Sequence, residues 1–420
     1  MKIALHNRIS FSGVGHSWGQ RIEATRDQIG SRLAQIQDKR VIFAADNELE
    51  AASCVAFGLD AGLDFGVIEQ SRLSDDLRNR FAEAGVTLIA PTGDIEFAEP
   101  ETRSDHVPGR ISVLTSGTTG LPKLVAHTPQ TLNTFDRVRT IPENQWFVPY
   151  QVGSYAWYQM ISLGVFVPDQ GIVLGQSQDL MTSFEAALKS GEVTAISSTP
   201  TFWRQAAMSI EPEIMHRSPI SSISLGGEIV DQAILDYLKG MFPKAAIKHI
   251  FASSEAGAAI VVSDGLAGFD ASLLDEKTDK PVSIRIRDDR LEIKSRYGNA
   301  EADGNWIDTG DLVERVGDRI FFRGRADNLM INVGGQKAFP AVIEAHLLSH
   351  PDIQWAQVVA KRAPLVGNLP MANLVLKPGT DAAEAEISLT RFCEEGLPDY
   401  AVPRLWNFLD AVPLRSSLKS

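Results

Sequence analysis

Strand-like and helix-like text alternate along most of this chain, and each strand-like run closes on small or polar residues. "KRVIFAAD" (Lys39–Asp46) reads as a buried strand and "NELEAASCVAFGLDAG" as the helix behind it. "GVTLIAP", "GRISVLTSGTTG", "EVTAISSTP", "ISSISLGGE" and "AAIKHIFASSE" repeat the scheme, with helical stretches such as "VDQAILDYLKGMF" between them. Alternation of this kind predicts an α/β domain, whose ligand-binding residues gather in loops at the carboxyl ends of strands. From about Pro281 the rhythm changes. "VSIRIRDDRLEIKS" alternates with period two about an Asp-Asp turn, as a half-exposed antiparallel pair does, and "GDRIFFRGRADN" predicts another hairpin strand. After Asp327, "PAVIEAHLLSH", "IQWAQVVAKR" and "SLTRFCEEGL" predict a helix, a strand and a helix in a compact second unit. The boundary is placed near Arg325–Asn328, dividing the chain into residues 1–325 and 326–420.

A chain of 420 residues can bury a large core in two or three domains. The net charge of -13 argues against a nucleic-acid binder, which needs a basic face to displace counterions. It leaves room for a nucleotide, which needs only a few local cations. Cys54 and Cys393 are the only cysteines. They fit neither a disulfide framework nor a zinc site, and are expected to behave as small buried hydrophobes. The opening residues hold no long apolar run, and no segment reaches about 20 uninterrupted apolar residues. Neither a signal peptide nor a membrane span is expected, and the default compartment is the cytoplasm.

The stretch "LTSGTTGLPKLVAHT" (Leu114–Thr128) sets hydroxyls and glycines ahead of a lysine. A P-loop would need GxxxxGK[ST], but Pro122 stands where its last glycine belongs, and proline has no N–H to offer. A dinucleotide fingerprint fails as well, because no G-x-G-x-x-G is present here. What remains is a strand-to-strand loop whose hydroxyls and amides donate to phosphate oxygens, with Lys123 adding positive charge. Taken alone, it could also be a polar surface turn.

"TSGTTGLPK" resembles the signature of the adenylate-forming superfamily: acyl-CoA synthetases, adenylation domains and firefly-type luciferases. Further segments are similar to that family in its own order. They are "LGGE" (Leu225–Glu228), "IFASSEAG" (Ile250–Gly257), "DGNWIDTGD" ending at Asp311, "FFRGRADNLMINVGGQKAFPAVIE" and "VPLRSSLKS". The resemblance runs from about Val41 to the last residue. It implies a large amino-terminal α/β domain with mixed sheets and a small mobile carboxyl-terminal α+β domain. It also implies the reaction: a carboxylate and ATP give an acyl-adenylate and pyrophosphate, and a thiol then takes the acyl group and releases AMP.

The resemblance assigns roles residue by residue. Thr115, Ser116, Gly117, Thr118, Thr119, Gly120 and Lys123 would hold the β- and γ-phosphates. Glu255 would bind Mg2+ through a carboxylate oxygen, the ligand type that hard ion prefers. Asp311 would accept both ribose hydroxyls, and Arg325 would contact ribose or phosphate. Gly226, Gly227 and Glu228 would line the adenine, with Phe251, Ala252, Ser253 and Ser254 beside the nucleotide. Lys419 would bridge the substrate carboxylate and the α-phosphate during adenylation. A hinge at Asp327 would then turn the small domain, and Gly334 and Gly335 would let a pantetheine arm pass close to their backbone.

The chain departs from the family in places. Its amino-terminal part is short. Phe251-Ala252 stands for the usual Tyr-Gly, Ser254 for threonine, and Leu418 for the glycine before the terminal lysine. The acid pocket is expected among Tyr155, Trp157, Tyr158 and Phe202, rings that give a flat apolar slot; core packing is the competing role for each. The aspartate that amino-acid-activating relatives carry for an α-ammonium group is missing from this segment, which points to an aryl or a short to medium acyl acid. The partners implied are therefore a small carboxylic acid and a thiol, either CoA or the phosphopantetheine of an acyl carrier protein. A non-thiol acceptor, luciferase-like oxidation of the adenylate and an inactive nucleotide-binding regulator are the alternatives.

Overall fold

The computed structural model describes residues 8–11, 14–30, 36–90, 106–116, 122–137, 142–175, 179–275, 280–299, 304–325, 331–333, 336–363 and 367–412. Arg40–Ala45 and Asp64–Glu69 are buried along nearly their whole length, because helices or a second sheet cover both faces. They pair in parallel, flanked by Thr87–Ile89 on one side and Ile111–Ser116 on the other. Pro122–His127 closes this sheet antiparallel to Ile111–Ser116. Behind Arg40–Ala45 runs the helix Glu48–Ala61. Asn47 caps its start by accepting from the Glu50 N–H, and Gly62 ends it in the left-handed region at φ 65.

A second, larger sheet has eight described strands. Their order is Gly257–Val262, Ala246–Ser253, Ser222–Leu225, Ala195–Ser198, Asn144–Val148, Gln170–Leu174, Arg8–Phe11 and Val14–Ser17. The strands between Ala246–Ser253 and Gln170–Leu174 are parallel neighbours, so their carboxyl ends share one edge. The helix Tyr155–Phe166 lies between the two sheets. It shares one apolar core with Phe43, Phe65 and Val113 of the first sheet and Trp146, Ile172 and Ala195 of the second. The opposite face of the larger sheet packs on Leu180–Ser190, Pro200–Ser209 and Gln232–Met241 around Phe147, Phe184, Phe202 and Trp203.

The period-two text folds as the sequence suggests. Val282–Arg287 and Arg290–Ser295 form a hairpin, with Asp288 and Asp289 both at positive φ (49 and 59) in its two-residue turn. Ile307–Val316, Arg319–Arg325 and Phe269–Asp270 extend it into an antiparallel sheet. The small carboxyl-terminal domain has its own core. Ile353–Ala363, Gly367–Leu376, Ile331–Val333, Gln336–Ala338 and Leu405–Phe408 form its sheet, and the helices Pro340–Leu348 and Ala382–Gly396 pack on it. Trp355, Val375 and Val412 of this domain bury a patch against Met208 of the large one. Both cysteines are buried, and burial raises both thiols, so neither is poised as a nucleophile.

Candidate active site

Of the expected residues, the carboxyl edge of the larger sheet gathers 226–228 and 251–255. Strand Ser222–Leu225 ends at Gly226, whose N–H donates to Ser198 O at 3.0 Å. A side chain at Gly226 would meet Ile250 O at 3.2 Å, so a glycine lets this chain pass beside the neighbouring strand end. Strand Ala246–Ser253 delivers Phe251, Ala252 and Ser253 to the same edge, and all three are half-buried. Phe251 stacks on Phe322 with ring centroids 4.8 Å apart and planes 12° from parallel. That stack sets the antiparallel sheet against the strand end.

Asp311 and Arg325 are direct cross-strand partners on that antiparallel sheet. The Thr309 hydroxyl donates to Leu291 O at 3.0 Å and accepts from the Asp311 N–H at 3.2 Å, fixing the backbone ahead of the carboxylate. Gly310, at φ 75, supplies the left-handed step between them.

The turn after Ser253 is held at several points. Ser253 Oγ accepts from the Ala256 N–H at 3.0 Å, and Glu255 O accepts from the Asn299 N–H at 2.8 Å. The Glu255 side chain is exposed and makes no hydrogen bond or ion pair among the described residues. No cluster of three or more His, Cys, Asp or Glu that could hold a metal occurs among the described residues. One unengaged carboxylate on a pinned turn suits magnesium, which keeps its waters and binds through one or two carboxylates together with substrate phosphates.

Thr115 and Lys123 sit opposite each other near the open end of the hairpin of Ile111–Ser116 and Pro122–His127, where phosphate is expected, with Lys123 exposed to solvent. Gly117, Thr118, Thr119, Gly120, Asp327, Gly334, Gly335 and Lys419 lie outside the described residues. Ser116 lies at the end of its strand, opposite Pro122.

Glu228, expected beside adenine, is tied to the start of a neighbouring helix. Its carboxylate accepts from the Thr201 N–H at 2.9 Å, at the start of the helix Pro200–Ser209. Burial pushes this carboxyl up, against the hydrogen bonds from Thr201 and the charge of Arg204. Gly227, at φ 77, makes the turn that aims it there.

The aromatic slot needs correcting. Trp157, Tyr158 and Phe202 are each 0% exposed and line no open surface. Tyr158 accepts from the Val67 N–H at 2.8 Å inside the core between the two sheets, and Phe202 packs on Phe147, Phe184 and Trp203 on the far face. The helix Tyr155–Phe166 is buried on most sides, and Pro200–Ser209 turns its one buried face, Phe202, Trp203 and Ala206, into the core. Tyr155 is buried in the same core as Tyr158, and its ring lies 5.3 Å from that of the buried His127. Tyr150, whose hydroxyl lies 3.2 Å from Ser197 Oγ, is a ring at the strand ends.

His127 was not singled out by the sequence. It ends the strand Pro122–His127, is fully buried, and lies 2.7 Å through Nε2 from Ser254 O and 3.0 Å through Nδ1 from Thr131 Oγ1. Burial lowers its pKa to about 4, outweighing the bond to Ser254. A lone histidine on an apolar strand is usually a core residue, and the one cue was its place four residues after Lys123.

Residues 32–305 match the AMP-binding enzyme family and residues 342–419 the AMP-binding enzyme C-terminal domain. The chain belongs to the AMP-binding enzyme family. A 2-succinylbenzoate–CoA ligase of Geobacillus kaustophilus (strain HTA426) is 27% identical over 401 residues, covering 86% of this chain and 77% of that relative. The fold is similar to an anthranilate CoA ligase solved with anthranoyl-AMP (TM-score 0.74, 16% identity, covering 99% of this chain and 92% of that one). It is also similar to the o-succinylbenzoate CoA synthetase from Bacillus subtilis solved with its acyl-adenylate intermediate (TM-score 0.67, 19% identity, 98% and 93% covered). At these identities the structural likeness is one of fold. The AMP-binding enzyme is of the acid–thiol ligase type, activating a carboxylic acid as its adenylate. None of its described helices is long and apolar enough to cross a membrane.

Proposed function

We propose that this AMP-binding enzyme joins an aryl carboxylic acid to ATP and passes the acyl group to coenzyme A. The observation that carries the reading is the Ser253–Gly257 turn. It touches the phosphate hairpin through His127 and follows a strand end stacked on the sheet that bears Asp311 and Arg325. A triphosphate lying across these elements would have Thr115 and Lys123 at its outer phosphates and Asp311 at its ribose. A magnesium ion held by Glu255 would neutralise part of the triphosphate charge.

The chemistry asked of the chain is electrostatic. A carboxylate must approach the α-phosphorus against like charge, so cations aimed at that point lower the barrier most. Lys419 supplies the one at the reacting atoms, bridging the acid and the α-phosphate. Gly226 and the Phe251–Ser253 strand end flank the adenylate. The small domain then turns about Asp327, withdrawing Lys419 and bringing Gly334 and Gly335 to pass the pantetheine arm. The thiol sulfur attacks the acyl carbon, the carbon–oxygen bond to AMP breaks, and AMP leaves with the bridging oxygen.

Aryl acids are favoured for two reasons. The Geobacillus relative is named for 2-succinylbenzoate, and Tyr150 places a ring at the strand ends. Coenzyme A is favoured over a carrier protein because that same relative is a CoA ligase. Acid-dependent exchange of labelled pyrophosphate into ATP, run over aryl, aliphatic and amino acids, tests the reading. An aryl acid is expected to give the highest rate. Silence across the whole panel would favour a nucleotide-binding regulator.

A further inference from the structure

We propose that His127 is a positioning residue that holds the Glu255 turn at a fixed reach from the phosphate hairpin, and so sets how well the site accepts a metal-bound triphosphate. This rests on the reading that ATP lies between those two elements. Ser254 O can only accept, so Nε2 carries the hydrogen of the 2.7 Å bond. Nδ1 is then the acceptor of a neutral ring, facing the Thr131 hydroxyl at 3.0 Å. That hydroxyl is itself fixed: it accepts from the Thr128 N–H at 2.9 Å, and its single hydrogen is shared between Nδ1 and Thr128 O, 3.1 Å away. The imidazole is therefore anchored by its Nε2 bond to Ser254 O, with the Thr131 hydroxyl beside Nδ1 and the tilted Tyr155 ring packed 5.3 Å away.

The residues joined are those the nucleotide would span. Lys123 and His127 lie on one strand, four residues apart and so on the same face, about 13 Å from each other along a rigid ladder. Ser254 immediately precedes Glu255, whose own carboxylate is unengaged among the described residues. The Asn299 and Ser253 bonds fix the turn to its own side of the site. Among the described residues, the His127 bond ties it to the hairpin.

Calorimetric titration of ATP, with magnesium and with excess chelator, reads this without turnover. Three proteins are compared: wild type, His127→Gln and His127→Leu. Glutamine presents an amide nitrogen near the Nε2 position and keeps the donor, whereas leucine keeps bulk and removes it. Magnesium's gain in ATP affinity is expected to shrink about tenfold in His127→Leu, the scale of one lost hydrogen bond, and to stay within about threefold of wild type in His127→Gln. Chelated ATP should bind all three alike. An unchanged magnesium gain in the leucine variant, an equal loss for chelated ATP, or a glutamine variant no better than leucine overturns the proposal. If the leucine variant does not fold, Thr131→Val, which removes the Nδ1 partner, carries the same comparison with a loss in the same direction expected. A wild type that binds magnesium–ATP tightly but gives no acid-dependent exchange sinks the acid-activation reading and leaves this inference intact. A wild type whose ATP affinity ignores magnesium sinks the inference itself.

Discussion

Burial keeps the His127 imidazole neutral in the folded protein, with a pKa of about 4 against 6.5 for the free side chain. Between those values the unfolded chain binds the extra proton and the folded one does not, so stability rises with pH across that window. The contribution is complete above about pH 6.5 and is lost as pH falls toward 4, to a limit of about 3 kcal/mol. Urea unfolding of wild type and His127→Gln at pH 7 and pH 4.5 checks this. The glutamine variant should show a flatter pH profile, with His249, also lowered by burial, leaving a residual slope. Identical profiles would remove His127 from the account. The sequence could not reveal this residue, because its meaning comes from a contact with Ser254, 127 positions away. The backbone shape around Asp311 was legible for the opposite reason. Within the strand Ile307–Val316, the Thr309-Gly310-Asp311 kink is made locally, by a hydroxyl two residues back and a glycine at positive φ.

At the scale of elements, strands, hairpins and their polar ends could be read because turn chemistry and residue period are local properties. Which ring of a helix faces a ligand is a different matter. Ser154 caps the helix Tyr155–Phe166 by accepting from the Trp157 N–H, and two sheets then close on it, so Trp157 and Tyr158 are fully enclosed while Tyr155, buried in the same core, packs against His127. Nothing in the text YAWY separates those fates. Trp157→Ala should therefore cost about 3–5 kcal/mol of stability through the cavity it leaves. Trp157→Phe should leave the ratio of kcat/KM between two aryl acids unchanged. A change of more than tenfold in that ratio, at little cost in stability, would return Trp157 to the acid pocket.

For the whole molecule, the division into a large α/β part and a small α+β part was legible from the change in rhythm near Pro281 and the separate apolar pattern beyond Asp327. Their contact through Met208 and the Trp355–Val375–Val412 patch was not, since it is a surface match between distant segments. Domain alternation predicts separable duties. Lys419→Ala should lower adenylation by at least about a thousandfold, as loss of a charge at the transition state does, and leave thioester formation from supplied acyl-adenylate near wild type. Equal loss in both half-reactions would contradict the alternation. The central claim is that the acid captures the α-phosphorus. An acid labelled with 18O in its carboxylate, converted fully to thioester, tests it in one mass spectrum: AMP should carry one heavy oxygen and pyrophosphate none. Label in pyrophosphate or orthophosphate, or none in AMP, would contradict it.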